Sequence, residues 1–323
     1  DDQWELLDQN NSIFEGVPED PNFVVVNAWT VDSDGGQWFA NFGVGAQFLN
    51  TSSEYTTFRE GVASLSNVRI RGIAVSADKS VWFATDSRLS CYRPDSDTWE
   101  VFGTTEGLLS PQVNAVVASV TGDVWAGTDA GISRIEEGNV ITSFGLPAGL
   151  NTSQVTALAS DARGNLWVGS VSGLGKFDPE TFEWEVFTTD NSPLAAPLVK
   201  SLVVQTESGE VWIGTGQGIS RFESGILPPR LTQAQVPVYP NPFIPSNGDT
   251  EVVFGQLADG AQVSILTVDG MLVRQISANQ VIAQQVRWDG RNTSGSLVAG
   301  GVYFFVVSAP DGSHFTGKIA VIR

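Results

Sequence analysis

Hydrophobic and polar residues alternate along this chain in short runs, each broken by Gly, Asp, Asn or Ser. Val155-Thr156-Ala157-Leu158-Ala159-Ser160 alternates and predicts a β-strand. Asp161-Ala162-Arg163-Gly164 reads as a turn, because Asp bonds its own backbone and Gly takes positive φ freely. Leu166-Trp167-Val168-Gly169 predicts a second strand and Leu174-Gly175-Lys176-Phe177 a third. A fourth, Glu183-Trp184-Glu185-Val186-Phe187, follows the turn sequence Asp178-Pro179-Glu180-Thr181.

The unit recurs. The phrase ending in Trp167 has counterparts around Trp38, Trp82, Trp125 and Trp212, and the five tryptophans are spaced 44, 43, 42 and 45 residues apart. Such a period marks a repeat architecture, and four short antiparallel strands per repeat make one propeller blade. A tryptophan at one fixed position in every repeat predicts packing between blades, with on the order of 200 Å² buried by each. The fifth repeat ends after Gly218-Ile219-Ser220-Arg221-Phe222 and lacks a fourth strand, because Leu227-Pro228-Pro229 follows. The N-terminal segment Trp4, Glu5, Leu6, Leu7 matches the outer strands Trp99-Glu100-Val101-Phe102 and Trp184-Glu185-Val186-Phe187. It is expected to supply the missing strand and close a five-bladed propeller over 1–235. Closure removes free sheet edges; the same strand placed in a neighbouring copy would build a polymer.

These repeats resemble the two-component-regulator propeller family, on residues such as Val155, Leu158, Asp161, Gly164, Leu166-Trp167-Val168-Gly169 and Gly173-Leu174. The resemblance spans about residues 24–224. It implies the blade fold; with no kinase, no membrane span and only five repeats in this sequence, the sensor role of that family is not expected to carry over. After a Pro- and Gln-rich linker, 236–323 reads as six or seven strands with hairpin turns at Asp269-Gly270 and Asp311-Gly312, a small β-sandwich. It resembles the immunoglobulin-like domain of flagellar hook-capping proteins and the C-terminal sorting domains of type IX secretion. The matching residues are Tyr239-Pro240-Asn241-Pro242-Phe243, Trp288-Asp289-Gly290-Arg291-Asn292, Gly300-Gly301-Val302-Tyr303-Phe304 and Thr316-Gly317-Lys318. The resemblance implies an exported bacterial protein, extracellular or at the cell surface. The fold expected for the whole chain is all-β, a propeller followed by an immunoglobulin-like β-sandwich.

Charge narrows the partners. The net charge is −19, of which residues 1–235 carry −18, and the first 58 residues hold ten acidic side chains and no Lys or Arg. Such a surface repels phosphate backbones, so nucleic acid is not an expected partner. No apolar run is long enough to span a bilayer as a helix. The single Met is Met271, which suggests a start processed by removal of an export signal, and Cys91 is the lone cysteine.

Catalytic devices are scarce. The one histidine, His314, falls in an expected turn with no nucleophile motif beside it. The inner strands bring Asn27, Arg71, Asn114, Thr156 and Lys200 to equivalent first positions, a polar ring without an acid. It reads as a hydrated channel mouth, or as a set of donors for a sugar or carboxylate. Asp32 and Asp34 have the spacing of an oxygen-ligand loop, which makes calcium the one cofactor to consider, but they also sit where every repeat turns. The expected function is a non-catalytic secreted or surface protein that contacts copies of itself, other surface proteins or glycans. The alternatives are a soluble glycan or peptide receptor using the polar ring, and a secreted carbohydrate-active enzyme, which the missing acids disfavour.

Overall fold

The computed structural model describes residues 12, 14–17, 19–61, 65–228, 235–245, 251–282 and 284–323. These are strands joined by turns and a few short 3-10 segments. Residues 4–7, the expected closing strand, lie outside the described residues. The chain divides into two compact units, Asp1–Ser224 and Gly225–Arg323.

The first unit holds five antiparallel sheets in sequence order. Sheet one comprises Val26–Val31, Gln37–Asn41, Gly45–Leu49 and Tyr55–Phe58. Sheet two comprises Ile70–Val75, Val81–Thr85, Leu89–Arg93 and Thr98–Phe102. Sheet three comprises Val113–Ala118, Val124–Thr128, Gly131–Ile135 and Ile141–Phe144, and sheet four Val155–Ser160, Leu166–Ser170, Leu174–Phe177 and Trp184–Phe187. Sheet five has three described strands, Val199–Gln205, Glu210–Thr215 and Gly218–Glu223. The first strand of each sheet lies beside the first strand of the next.

Turn chemistry fixes the register. Asp161 Oδ1 accepts the backbone N–H groups of Arg163 and Asn165, and Gly164 sits at φ +87°, where a Cβ would come within 2.7 Å of Thr121. The hairpin pairs Ala159 with Trp167 and Leu158 with Val168, so alternate residues face opposite neighbours. One face is led by the tryptophan, and it packs forward onto the following sheet. Trp38 shares a core with Ile70, Val81 and Phe83; Trp82 with Val113, Val124 and Ala126; Trp125 with Val155, Leu166 and Val168; and Trp167 with Val199, Val211 and Ile213. The core is thus a chain of inter-sheet joints. All four of these tryptophans are at most 4% exposed. Trp212 departs from the expectation: it is 40% exposed, and among the described residues the first unit has no sheet after the fifth.

In the second unit, Val238–Tyr239, Val252–Phe254 and Val286–Trp288 form one sheet, and Leu272–Ile276, Gln262–Leu266, Gly301–Ser308 and His314–Val321 form another. Residues of both enclose one core containing Phe243, Phe254, Trp288 and Phe305. The Tyr239–Phe243 motif is pinned to the last strand. Phe243 N–H donates to Ala320 O, and the Asn241 side chain both donates to Lys318 O and accepts from Ala320 N–H. Gly290, at φ +71°, lies under the Phe243 ring, which a Cβ would approach to 2.6 Å. His314 opens the last strand, exposed, where the sequence suggested a turn.

Candidate contact surface

The five polar residues expected at a channel mouth share an unforeseen feature. Each sits at a β-bulge of its first strand. The pairing skips Asn27 between Val26 and Ala28, Arg71 between Ile70 and Gly72, Asn114 between Val113 and Ala115, Thr156 between Val155 and Ala157, and Lys200 between Val199 and Ser201. A bulge re-aims the extra side chain. Here the extra side chain reaches the next sheet. Asn27 Nδ2 donates to Ile70 O at 3.1 Å, Asn114 Nδ2 to Val155 O at 3.0 Å, and Thr156 Oγ1 to Val199 O at 2.5 Å. Each acceptor is the residue just before the next sheet's own bulge. Arg71 differs, because its guanidinium pairs with Asp86 of its own sheet. Lys200 is exposed on the last sheet. Three of the five are therefore inter-sheet clips, occupied with backbone carbonyls.

Asp32 and Asp34 are also engaged. Asp32 Oδ1 accepts from the N–H groups of Asp34 and Gly36, and Oδ2 from Trp38 Nε1 at 3.3 Å. Asp34 forms an ion pair with Lys79 at 2.8 Å, and this pair raises the lysine's pKa above its ordinary value. Among the described residues, no group of three or more His, Cys, Asp or Glu side chains has metal-binding geometry. Asp32 repeats the role of Asp161, whose Oδ2 accepts from Trp167 Nε1, and Ser76 plays it for Trp82. Sequence reasoning missed this link, although the six-residue offset between turn residue and tryptophan carries it.

Two clefts open at the rim of the first unit. One, of about 410 Å³, lies between sheets one and two and is lined by Asp32, Asp34, Trp38, Lys79, Asp95 and Asp97 among others. The other, of about 620 Å³, is lined by Asp78, Arg93, Asp123, Glu136 and Asn139 among others. Two of its charged residues pair with groups beside it, Arg93 with Glu100 at 2.8 Å and Asp123 with Arg134 at 2.7 Å. Asp78 keeps a lowered pKa: burial works against this, but hydrogen bonds from Ser76 and Ser80 and the Arg93 charge outweigh it.

Apolar side chains are exposed on the outer faces of the first and fifth sheets. In sheet four the forward face carries Ala159, Trp167 and Leu174, all buried under sheet five. The register gives sheet five the same trio, Val203, Trp212 and Ile219, and these are 62%, 40% and 71% exposed. Even the cation above the indole is retained: Arg221 lies 6.0 Å from the Trp212 ring as Lys176 lies 5.9 Å from Trp167. At the other end, the positions that in sheet two receive Trp38 are Ile73, Val75, Val81 and Phe83. Their equivalents in sheet one are Trp29, Val31, Gln37 and Phe39. Phe14 covers part of this face, edge-on to Phe39 at 5.2 Å, and Asn41 Nδ2 donates to Glu15 O. Trp29 and Val31 remain 58% and 45% exposed.

The solved structures that the chain matches share this fold at low identity. PorZ, an essential bacterial surface component of the type-IX secretion system of Porphyromonas gingivalis, is 22% identical with a TM-score of 0.55, over 94% of this chain and 46% of that one. The extracellular domain of BT3049, described as a hybrid two component system of B. thetaiotaomicron, is 17% identical with a TM-score of 0.55, over 93% of this chain and 45% of that one. The chain thus spans about half the length of these structures. No curated protein matches it in sequence. Residues 149–172 match the family model of the two component regulator propeller, and residues 244–313 match that of the FlgD Ig-like domain.

Proposed function

We propose that this is a non-catalytic protein of the bacterial cell surface, a row of five propeller-type blades whose open apolar end faces make contacts and whose immunoglobulin-like sandwich anchors it. The observation that carries this reading is the inversion of exposure. Polar groups that would hold a ligand at the channel mouth are spent on neighbouring sheets, at Asn27, Asn114 and Thr156. Large apolar side chains are instead left open at Trp29, Val203, Trp212 and Ile219. Exposed apolar patches of this kind mark contact sites with other macromolecules. The surface placement is supported by the match of 244–313 to the FlgD Ig-like domain and by the fold shared with a bacterial surface component and an extracellular domain. The unbalanced acidic charge of the first unit keeps such a surface soluble between contacts. The test is antibody labelling and protease shaving of intact cells. Labelling of intact cells is the expected result; protein recovered only after lysis would refute the surface placement. Turnover of a polysaccharide or lactone by the purified chain, lost on substitution of a cleft acid such as Asp123, would refute the non-catalytic reading.

A further inference from the structure

We infer that the two end faces of the first unit are complementary halves of one more inter-sheet joint, made between copies: the forward face of sheet five in one copy seats on the receiving face of sheet one in a second copy. This rests on the contact-protein reading above and names the partner.

The joint already exists four times within the chain, so its requirements are on view. Each instance has a forward tryptophan; the two residues flanking it are apolar in sheets two, three and four, and in sheet one Thr30 takes one of those places. It needs four receiving positions on the next sheet. In three of the four it also has a bulge side chain donating to the carbonyl that precedes the next bulge. Sheet five supplies the first set in Val203, Trp212 and Ile219. Sheet one supplies the second in Trp29, Val31, Gln37 and Phe39. Lys200 occupies the bulge, and the carbonyl equivalent to Ile70, Val155 and Val199 is that of Val26. Lys200 is exposed and Val26 is 42% exposed. Every element is present, half at each end; Val203, Trp212 and Ile219 are exposed at one end, and Trp29 and Val31 at the other, beside Phe39, which Phe14 partly covers. Covering an aromatic such as Trp212 together with Trp29 removes on the order of 200 Å² or more of apolar surface from water. The contact joins unlike faces, so repetition gives a ring if the rotation closes and a filament if it does not.

Cross-linking of the full chain tests this. Val203 and Val31 stand where Ala159 and Val204 meet in one core. Cys91 is fully buried and leaves the introduced thiols as the reactive ones. Val203→Cys and Val31→Cys are prepared singly and together and treated with a short bismaleimide. Mixing the single variants should give a cross-linked dimer that neither gives alone, and the double variant should give a ladder. Trp212→Asp in the Val203→Cys chain should remove the dimer, and in the unlinked protein it should weaken association at least about tenfold by sedimentation, as expected for a central aromatic anchor. A double variant linked only within one chain would mean that the ends close on each other, and overturns the proposal. So does the absence of any cross-link from a variant that sediments as a folded monomer. Either failure leaves the surface labelling result intact, so the two readings fall separately.

Discussion

Trp167 Nε1 donates to Asp161 Oδ2 across 3.3 Å, and both residues are fully buried. One carboxylate thereby holds the hairpin turn through Oδ1 and aims the tryptophan of the sheet-four joint through Oδ2. Asp161→Ala should cost about 1–3 kcal/mol, because the buried indole N–H loses its acceptor. Urea unfolding followed at the first unit would show a lower midpoint at an unchanged slope. A midpoint equal to wild type would mean that the turn is held without the side chain.

The bulge residues divide by whether a sheet follows. Asn114 Nδ2 bonds Val155 O and also Asp129 Oδ1 at 2.8 Å, so Asn114→Ala should cost about 1–2 kcal/mol. Lys200→Ala, on the open sheet, should stay within about 0.5 kcal/mol of wild type in the isolated chain, as exposed substitutions do. Thermal denaturation of both variants side by side decides the point. Equal losses would contradict the clip assignment.

Much of this fold was legible in the sequence, and the reason is repetition. Five occurrences of a turn-then-tryptophan phrase, four of them Gly-x-x-Trp, average out local ambiguity, so the strands of sheet four fall within a residue of their expected bounds. The bulges at Asn27, Asn114 and Thr156 were not legible, because nothing in a run such as Val155-Thr156-Ala157 distinguishes it from an unbulged strand, while the extra residue breaks the pairing and re-aims one side chain. The polar ring could be read from the spacing, but its engagement with the next sheet's carbonyls depends on the joint. The exposure of Trp212 escaped for the opposite reason. Periodicity assigns it the same surroundings as Trp167, and the difference lies in what comes after it.

Calcium should not stabilise the first unit through Asp32 and Asp34. Asp32 accepts three hydrogen bonds within its own turn, and Asp34 is neutralised by Lys79. A cation would have to displace those partners. Melting temperatures in millimolar calcium and in excess chelator should therefore coincide. A rise in calcium that Asp32→Asn abolishes would restore the site.

Acid should loosen the first hairpin turn of sheet two. The folded pKa of Asp78 lies below its ordinary 3.8; burial opposes this, but hydrogen bonds from Ser76 and Ser80 and the charge of Arg93 prevail. A depressed carboxylate contributes stability in full above the unfolded value, and that contribution is lost as pH falls through the folded one. Asp78→Asn should lower stability at neutral pH and flatten its dependence on pH below about 4. An unchanged acid limb in the variant would assign the acid sensitivity to other carboxylates.

Cys91 offers a reading of how sheet two opens. Its thiol is fully buried between neighbouring strands, and burial pushes its pKa up to about 12, against a smaller opposing influence of Arg93. At pH 8 the thiolate, which is the reactive form, is then on the order of one part in ten thousand. Iodoacetamide should leave the native protein unlabelled over hours and label it fully in denaturing urea. At intermediate urea the labelled fraction should follow the unfolding of the first unit rather than of the second, whose core contains no thiol. Cys91 shares a core with Trp82, Val113 and Val124, while Tyr92, next in the strand, faces Trp38 on the other side, so exposure of Cys91 requires the joint of sheets two and three to part. A Trp82→Ala variant should accordingly speed labelling. Rapid labelling of the wild-type protein in the absence of denaturant would show that sheet two opens locally, without loss of that joint.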